Sequence, residues 1–419
     1  MPSTNFTNRY FRHDKLGVAL GYQLNDSKEF KHFIDKYGVR SQDYLHYRDM
    51  GYYDLGLFQH TLSGNVIYSL GRFSNQTIKT GINTQYQHHT TDGYGHILPA
   101  YRRFTAGFFL THQYKLSDKW IINSGARVDH TFFEMQESLN AEFPVNQLDS
   151  LFNPDFKTTY PGSAFSLGFN YLPGAKTTIK VHAGKSFRVP SAYELGAYGL
   201  HTHAGRFEKG DLGNKPEKAW QFNIGLEQKW TQLSFSISPF LNLFTNYLFL
   251  KPTSDFAPGG AGQIYQYEQS KALLYGGEAS IEYPFSNKIL IKAGAEYVYA
   301  VNLDLRSALP FTPPFNLQTE ASYLFKDTKW LKKNKIGVEL VSIAQQKYTE
   351  PNELTTPGYN AINLLVLTEL AFGSQKLSLM LKVRNLFNRA YYNHISFYRR
   401  MRIPEPGRDV QLFISIPIE

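Results

Sequence analysis

Hydrophobic and polar positions alternate with a period of two along most of this chain. In "DKWIINSGARVDH", Trp120, Ile122, Ala126 and Val128 share one face, while Asn123, Arg127 and Asp129 share the other. In "EKAWQFNIGLEQKW", Trp220, Phe222, Ile224 and Leu226 oppose Gln221, Asn223 and Glu227. "NKILIKAGAEYVYA" sets Ile289, Ile291, Ala293, Ala295, Tyr297 and Tyr299 against Lys292 and Glu296. "QKLSLMLKVRNLF" sets Leu377, Leu379, Leu381 and Val383 against Ser378, Lys382 and Arg384. This period predicts strands with one apolar and one polar face. The segments run to about ten residues or more, the length a tilted strand needs to cross a bilayer. Soluble strands are about five or six residues long.

The links between these segments alternate in length. Short ones occur at "KLSDKW", "LPGAK", "KWTQL", "PFSNK" and "FGSQK". Long polar or Gly/Pro-rich stretches fall at residues 25–49, 135–161, 189–216, 252–263 and 389–407. Short turns at one end and long loops at the other are the layout of an up-and-down outer-membrane barrel. A sandwich or propeller has no reason to keep its long loops together. The expectation is an all-β, antiparallel transmembrane barrel of about sixteen strands, an even number that places both ends on the periplasmic side. Trp120, Trp230 and Trp330 sit at or beside short turns, and Trp220 follows a long loop, so both interfaces gain aromatic anchors. With no internal repeat and no linker, residues 1–419 form one barrel domain without a plug.

Composition narrows the class further. The chain carries 29 Tyr and 32 Phe in 419 residues, yet its mean hydropathy is −0.38. Aromatic wealth on a polar average suits a wall with lipid on one side and water on the other. No apolar run approaches the ~18 residues of a spanning helix. The formal charge of +9 is spread singly rather than gathered in a patch, which excludes nucleic acid as a partner. The absence of Cys fits an exported chain without disulfides. The opening "MPSTNFTNRYFRHDK" has no apolar leader core, so the expectation is a mature or partial chain.

Candidate chemistry rests on the 13 His residues. "YGLHTHAGRFEKGD" places His201 and His203 two apart in a long loop, followed by Glu208 and Asp211. Imidazole and carboxylate suit zinc, iron or haem iron, and the same residues also read as an ordinary solvated loop. His88 and His89 are strand neighbours and point to opposite faces. Arg127, Asp129, Lys292 and Arg384 face inward, as luminal wall charges. No nucleophile elbow, phosphate-binding glycine loop or carboxylate pair is present, so no enzyme is expected.

The stretch "KSFRVPSAYELGAYGLHTHAGRFEKGDLGNKPEKAWQFNIGLEQK" resembles the central part of TonB-dependent outer-membrane receptors. Phe187, Arg188, Val189 and Pro190 match the family's Phe-Arg-Ala-Pro box, and Pro216 with Glu217 keeps part of its second, Asn-Pro-x-Leu-x-Pro-Glu box. "ALLYGGEASIEY", "LPFTPPFNLQTEASY", "TPGYNAINL", "VRNLFNRAYYNH" and "PGRDVQLFISIP" resemble later family segments in order, with Asn385, Leu386, Phe387 and Asn388 ending the penultimate strand. The resemblance implies a place in a 22-stranded barrel whose first strands and plug lie outside this chain and are either separate, on another chain, or lost. It implies outer-membrane lipid as surroundings and the TonB complex as a partner through that plug. The cargo it implies is a metal or chelate: zinc, a ferric siderophore or haem, captured by His201 and His203. The alternatives are a transport-inactive scaffold barrel or a self-closed porin.

Overall fold

The computed structural model describes residues 3–11, 14–29, 55–71, 73–92, 97–139, 151–201, 204–257, 262–372 and 375–416. Seventeen strands follow one another as antiparallel neighbours. The first eight are β1 (Ser3–Phe11), β2 (Asp14–Glu29), β3 (Leu55–Leu70), β4 (Gln76–Asp92), β5 (Tyr101–Lys115), β6 (Trp120–Met135), β9 (Phe156–Gly174) and β10 (Thr177–Arg188). The run continues through β13 (Glu217–Lys229), β14 (Ser234–Phe256), β15 (Gln263–Pro284), β16 (Ile289–Asn302) and β18 (Asn316–Leu324). It ends with β19 (Leu331–Ile343), β20 (Tyr359–Phe372), β21 (Gln375–Arg384) and β22 (Asp409–Ser415). The loops carry β7 (Ser138–Leu139), β8 (Leu151–Asn153), a five-residue helix α1 (Ala192–Gly196), β11 (Tyr198–His201), β12 (Arg206–Lys209) and β17 (Ser307–Ala308).

The wall is apolar outside and polar inside, the reverse of a soluble fold. On β6, Trp120, Val128 and Phe132 are exposed, while Asp129, Thr131, Phe133 and Met135 are buried. On β13, Trp220, Phe222 and Ile224 are exposed and Ala219 is buried. Inside, Arg127 Nε donates to both oxygens of Asp129 at 2.9 and 2.7 Å, and its Nη1 donates to Asn83 Oδ1 at 2.7 Å. Lys292 pairs with Glu282 at 2.7 Å. An exterior of exposed Phe, Val, Ile and Trp is stable only against hydrocarbon.

Long connections all fall at one end, as the sequence predicts, and the structure adds two more there, at residues 303–315 and 344–358. It also adds β1, so the wall holds seventeen strands among the described residues, beside the expected figure of about sixteen, and the even-number argument lapses. Ser3 pairs with Gly21, halfway along β2. Within the stretch 252–263, residues 252–256 and 263 are strand instead of loop, because β14 and β15 run for 23 and 22 residues. That is about twice the 9–11 residues a membrane requires. The surplus projects at the long-loop end, where Phe256 pairs with Gln263.

Candidate functional site

The mouth is organised by the Phe187-Arg188-Val189-Pro190 segment. Pro190 has no N–H to extend a ladder, and β10 stops at Arg188. Ser191 then caps α1: Glu194 N–H donates to Ser191 Oγ at 3.3 Å, and Ser191 N–H donates to Glu194 Oε2 at 2.7 Å, a reciprocal box that satisfies two helix donors. Val189, Ala192 and Leu195 sink into an apolar cluster with Leu55, Ile97, Leu98, Tyr101, Phe133, Met135 and Tyr160, and Phe187 packs against it. The Phe187 ring lies where a side chain at Gly162 would stand, 1.9 Å from an added Cβ.

Arg188 couples the two family boxes. Its Nη1 donates to Glu194 Oε2 at 2.8 Å and its Nη2 to Glu217 Oε2 at 3.1 Å. Glu217 Oε2 also accepts from Leu248 N–H at 3.0 Å, and the Pro216 carbonyl accepts from Asn246 Nδ2 at 3.2 Å. Pro216 and Glu217 therefore brace the projecting part of β14.

Beyond α1, β11 and β12 form a hairpin that pairs His201 with Arg206. β12 then adds in parallel to β15, with Glu208 beside Tyr265. Glu208 is only 1% exposed. Its Oε1 lies 2.8 Å from His201 Nδ1 and accepts from Arg206 Nε at 2.8 Å, and its Oε2 accepts from Tyr267 Oη at 3.1 Å. Burial raises the carboxyl's pKa, but the bond to His201 and the Arg206 charge outweigh it and leave it below the usual value. Burial and the neighbouring Glu208 charge push the Tyr267 hydroxyl up. Arg206 stacks on Phe397 at 3.6 Å, and Arg400 donates to Tyr265 Oη.

Of the predicted residues, His201 and Glu208 meet. Asp211 does not join them: its Oδ1 accepts from Gly213 N–H at 2.8 Å and closes its own turn. His203 lies outside the described residues. Among the described residues, no group of three or more His, Cys, Asp or Glu is placed to hold a metal. His88 and His89 diverge, as period two requires: His89 is buried against Tyr101 and His88 stacks on His60.

Sequence patterning did not find Arg206, Tyr265, Tyr267 and Arg400, nor a second buried cluster drawn from three loops, 303–315, 344–358 and 385–408. There Glu353 Oε1 lies 3.2 Å from His394 Nε2 and 3.4 Å from Arg399 Nη2, and accepts from Phe311 N–H at 3.0 Å. The adjacent "RR" at Arg399 and Arg400 was the available signal.

Asn385-Leu386-Phe387-Asn388 forms the turn that follows β21. Asn385 and Asn388 have φ of 48° and 52°, in the left-handed region that Asn tolerates. Asn385 is buried; its Oδ1 accepts from Arg389 N–H at 2.8 Å and its Nδ2 donates to the Arg389 carbonyl at 2.9 Å. Leu386 N–H donates to the Ile362 carbonyl at 2.7 Å, and Phe387 is exposed.

Among solved structures, the chain is similar to a copper transporter, OprC, at 15% identity and a TM-score of 0.77, covering 97% of this chain and 63% of that one. It is similar to the FrpB iron transporter from Neisseria meningitidis at 15% identity and a TM-score of 0.67, covering 98% and 62%. A third is the ferric-catecholate import receptor Fiu from E. coli K12, at 15% identity and a TM-score of 0.63, covering 98% and 62%. This chain thus spans less than two thirds of each of those proteins. The model of the family described as TonB dependent receptor-like, beta-barrel matches residues 2–386. A match of that extent settles the lineage: the chain belongs to the family of TonB-dependent receptors through their β-barrel.

Proposed function

We propose that this chain forms the wall and outer mouth of a receptor that takes up a metal or metal chelate, with His201 as a cargo-capturing side chain. The observation that carries this reading is the His201–Glu208 pair. A buried carboxylate on Nδ1 fixes the imidazole's orientation and leaves Nε2 for a ligand, the outer-shell arrangement that metal-binding His residues use. The His201 side chain keeps 37% of its surface exposed, so the pair is reachable from outside. Arg206 Nη1 is buried beside it without a hydrogen bond among the described residues, a donor suited to an anionic chelate.

Transport by similar folds of copper, iron and a ferric catecholate supports a metal cargo and leaves zinc and haem as further candidates. Captured cargo would pass the polar lumen lined by Arg127, Asp129 and Lys292. Release into that lumen would depend on a plug and on TonB, the partners the family implies.

The test is equilibrium binding of Zn²⁺, Cu²⁺, haemin and a ferric catecholate to the purified receptor. The expected result is that one cargo binds and that the His201→Ala, His203→Ala double variant weakens it at least tenfold. Glu208→Gln should weaken it by about 10–100-fold, through lost orientation of the imidazole. Unchanged affinity for every cargo in the double variant would overturn the His assignment.

A further inference from the structure

The second buried cluster is joined to the hairpin of β11 and β12, which carries His201, through one short helix. In the last long loop, Phe397–Met401 forms a 3₁₀ helix. Two of its side chains press on the hairpin. Arg206 lies 3.6 Å from the centre of the Phe397 ring and 5.3 Å from that of Tyr265. Met401 occupies the space beside the turn, where a Cβ added at Gly205 would stand 1.9 Å from Met401 Cε. Gly205 has φ of 59°, in the left-handed region that glycine enters freely. It lies two residues from His203 and four from His201.

The same helix is fastened to two other loops. Arg399 Nη2 lies 3.4 Å from Glu353 Oε1, and its Nη1 contacts Thr356 Oγ1 and His394 Nδ1. His394 Nδ1 is itself 2.8 Å from Thr356 Oγ1. Phe311 N–H donates to the same Glu353 oxygen, and the Phe311 ring packs edge-on against Phe397 at 5.0 Å. The side chains of Glu353, His394 and Arg399 are 3%, 1% and 5% exposed. A buried ion pair is weak ground for stability, because desolvation of its charges offsets most of their attraction. What it imposes is geometry: each member has one place in which its charge and hydrogen bonds are met.

We propose that this helix is a clasp on the hairpin, and that Glu353, His394 and Arg399 are positioning residues that act through it on His201. The inference rests on His201 as the capturing side chain. Phe397 holds the Arg206 guanidinium, whose Nη2 and Nε stand 2.6 and 2.8 Å from Glu208 Oε1. Glu208 in turn orients His201. From Phe397 onward, every step of this path is a side-chain contact.

The experiment takes two readouts from the folded receptor in detergent, without cargo. One is hydrogen exchange at the β12 amides, residues 206–209; the other is the rate at which diethyl pyrocarbonate acylates His201, resolved by peptide mass spectrometry. Neither needs cargo, whereas failure of the His assignment shows as unchanged cargo affinity in the His201→Ala, His203→Ala variant. Arg399→Ala leaves Glu353 buried without its cation and should speed exchange at 206–209 about tenfold, with faster acylation of His201 and unchanged exchange in β6. Phe397→Ala should do the same, and the two together should fall well short of the product of their separate effects. Arg399→Lys keeps the charge and should recover most of the loss. Unchanged exchange and acylation in Arg399→Ala, effects that multiply in the double variant, or Arg399→Lys as loose as Arg399→Ala would each overturn the proposal. If Arg399→Ala does not fold, Gly205→Ala decides: it pushes on Met401 from the hairpin side and should speed exchange at residues 399–401, and unchanged exchange there refutes the clasp.

Discussion

Asn385 Nδ2 donates to the Arg389 carbonyl at 2.9 Å and reaches the Pro406 carbonyl at 3.4 Å, tying both ends of the last long loop, and replacing it should loosen that loop by a calculable amount. Asn385→Ala places an ordinary L-residue at φ 48°, which costs about 1 kcal/mol. It also removes the side chain that accepts from Arg389 N–H at 2.8 Å and donates to the Arg389 carbonyl at 2.9 Å. Each of these buried bonds contributes about 1 kcal/mol. The sum, about 3 kcal/mol, is roughly a hundredfold shift toward the open loop. Asn385→Gly relieves the backbone strain and keeps only the hydrogen-bond loss, so it should open the loop less. Asn385→Asp retains the acceptor and the tolerance of positive φ, and should open it least. Amide hydrogen exchange of the folded receptor in detergent reads these shifts directly at Asn388 and Arg389. Equal protection in wild type and Asn385→Ala, or a Gly variant as open as the Ala variant, would refute the reasoning.

Other perturbations test neighbouring parts of the mouth. Gly162→Ala puts a Cβ 1.9 Å from the Phe187 ring and should cost about 1–3 kcal/mol of stability in denaturant titration; pairing it with Phe187→Ala should recover part of the loss, and strict additivity would contradict the contact. Arg188→Ala leaves Glu194 and Glu217, 12% and 13% exposed, facing each other without their shared cation, so residues 189–216 should be cut faster in limited proteolysis; an unchanged rate would count against the coupling. Glu208 has a folded pKa below its ordinary 4.5, so the stability it contributes is present above that value and lost as pH falls through the folded pKa. Exchange protection of β12 should therefore hold at pH 6 and fall in acid, and Glu208→Gln should flatten the dependence.

The wall was legible in the sequence because lipid and lumen impose opposite demands on alternate residues. Val128 and Asp129 each satisfy one demand and would be costly if exchanged. The short turns were legible for the same reason, since "KLSDKW" and "PFSNK" interrupt strong alternation. β1 was not, because "STNFTNRYF" is mostly polar on both faces. The upper part of β14 was hidden by Pro252 and by the turn-like residues of "PTSDF", where the backbone stays extended as far as Phe256. At the mouth, His201 and Glu208 were found because they are seven residues apart in one loop. Tyr267 is 59 residues from Glu208, and only the parallel addition of β12 to β15 brings them together. Local periodicity contains no trace of such a pairing. The Asn385 to Asn388 turn could be placed as the end of a strand, but its role as a knot between loop ends depends on Arg389 and on positive φ at two residues.

The central claim is that this wall and mouth carry metal cargo across the outer membrane. Its most direct test is metal accumulation by mass spectrometry in metal-limited cells expressing the receptor, with and without an energised inner membrane. The account predicts energy-dependent accumulation of one metal that His201→Ala, His203→Ala reduces at least tenfold while the barrel remains folded in the outer membrane. Accumulation that is identical with and without the receptor would contradict it.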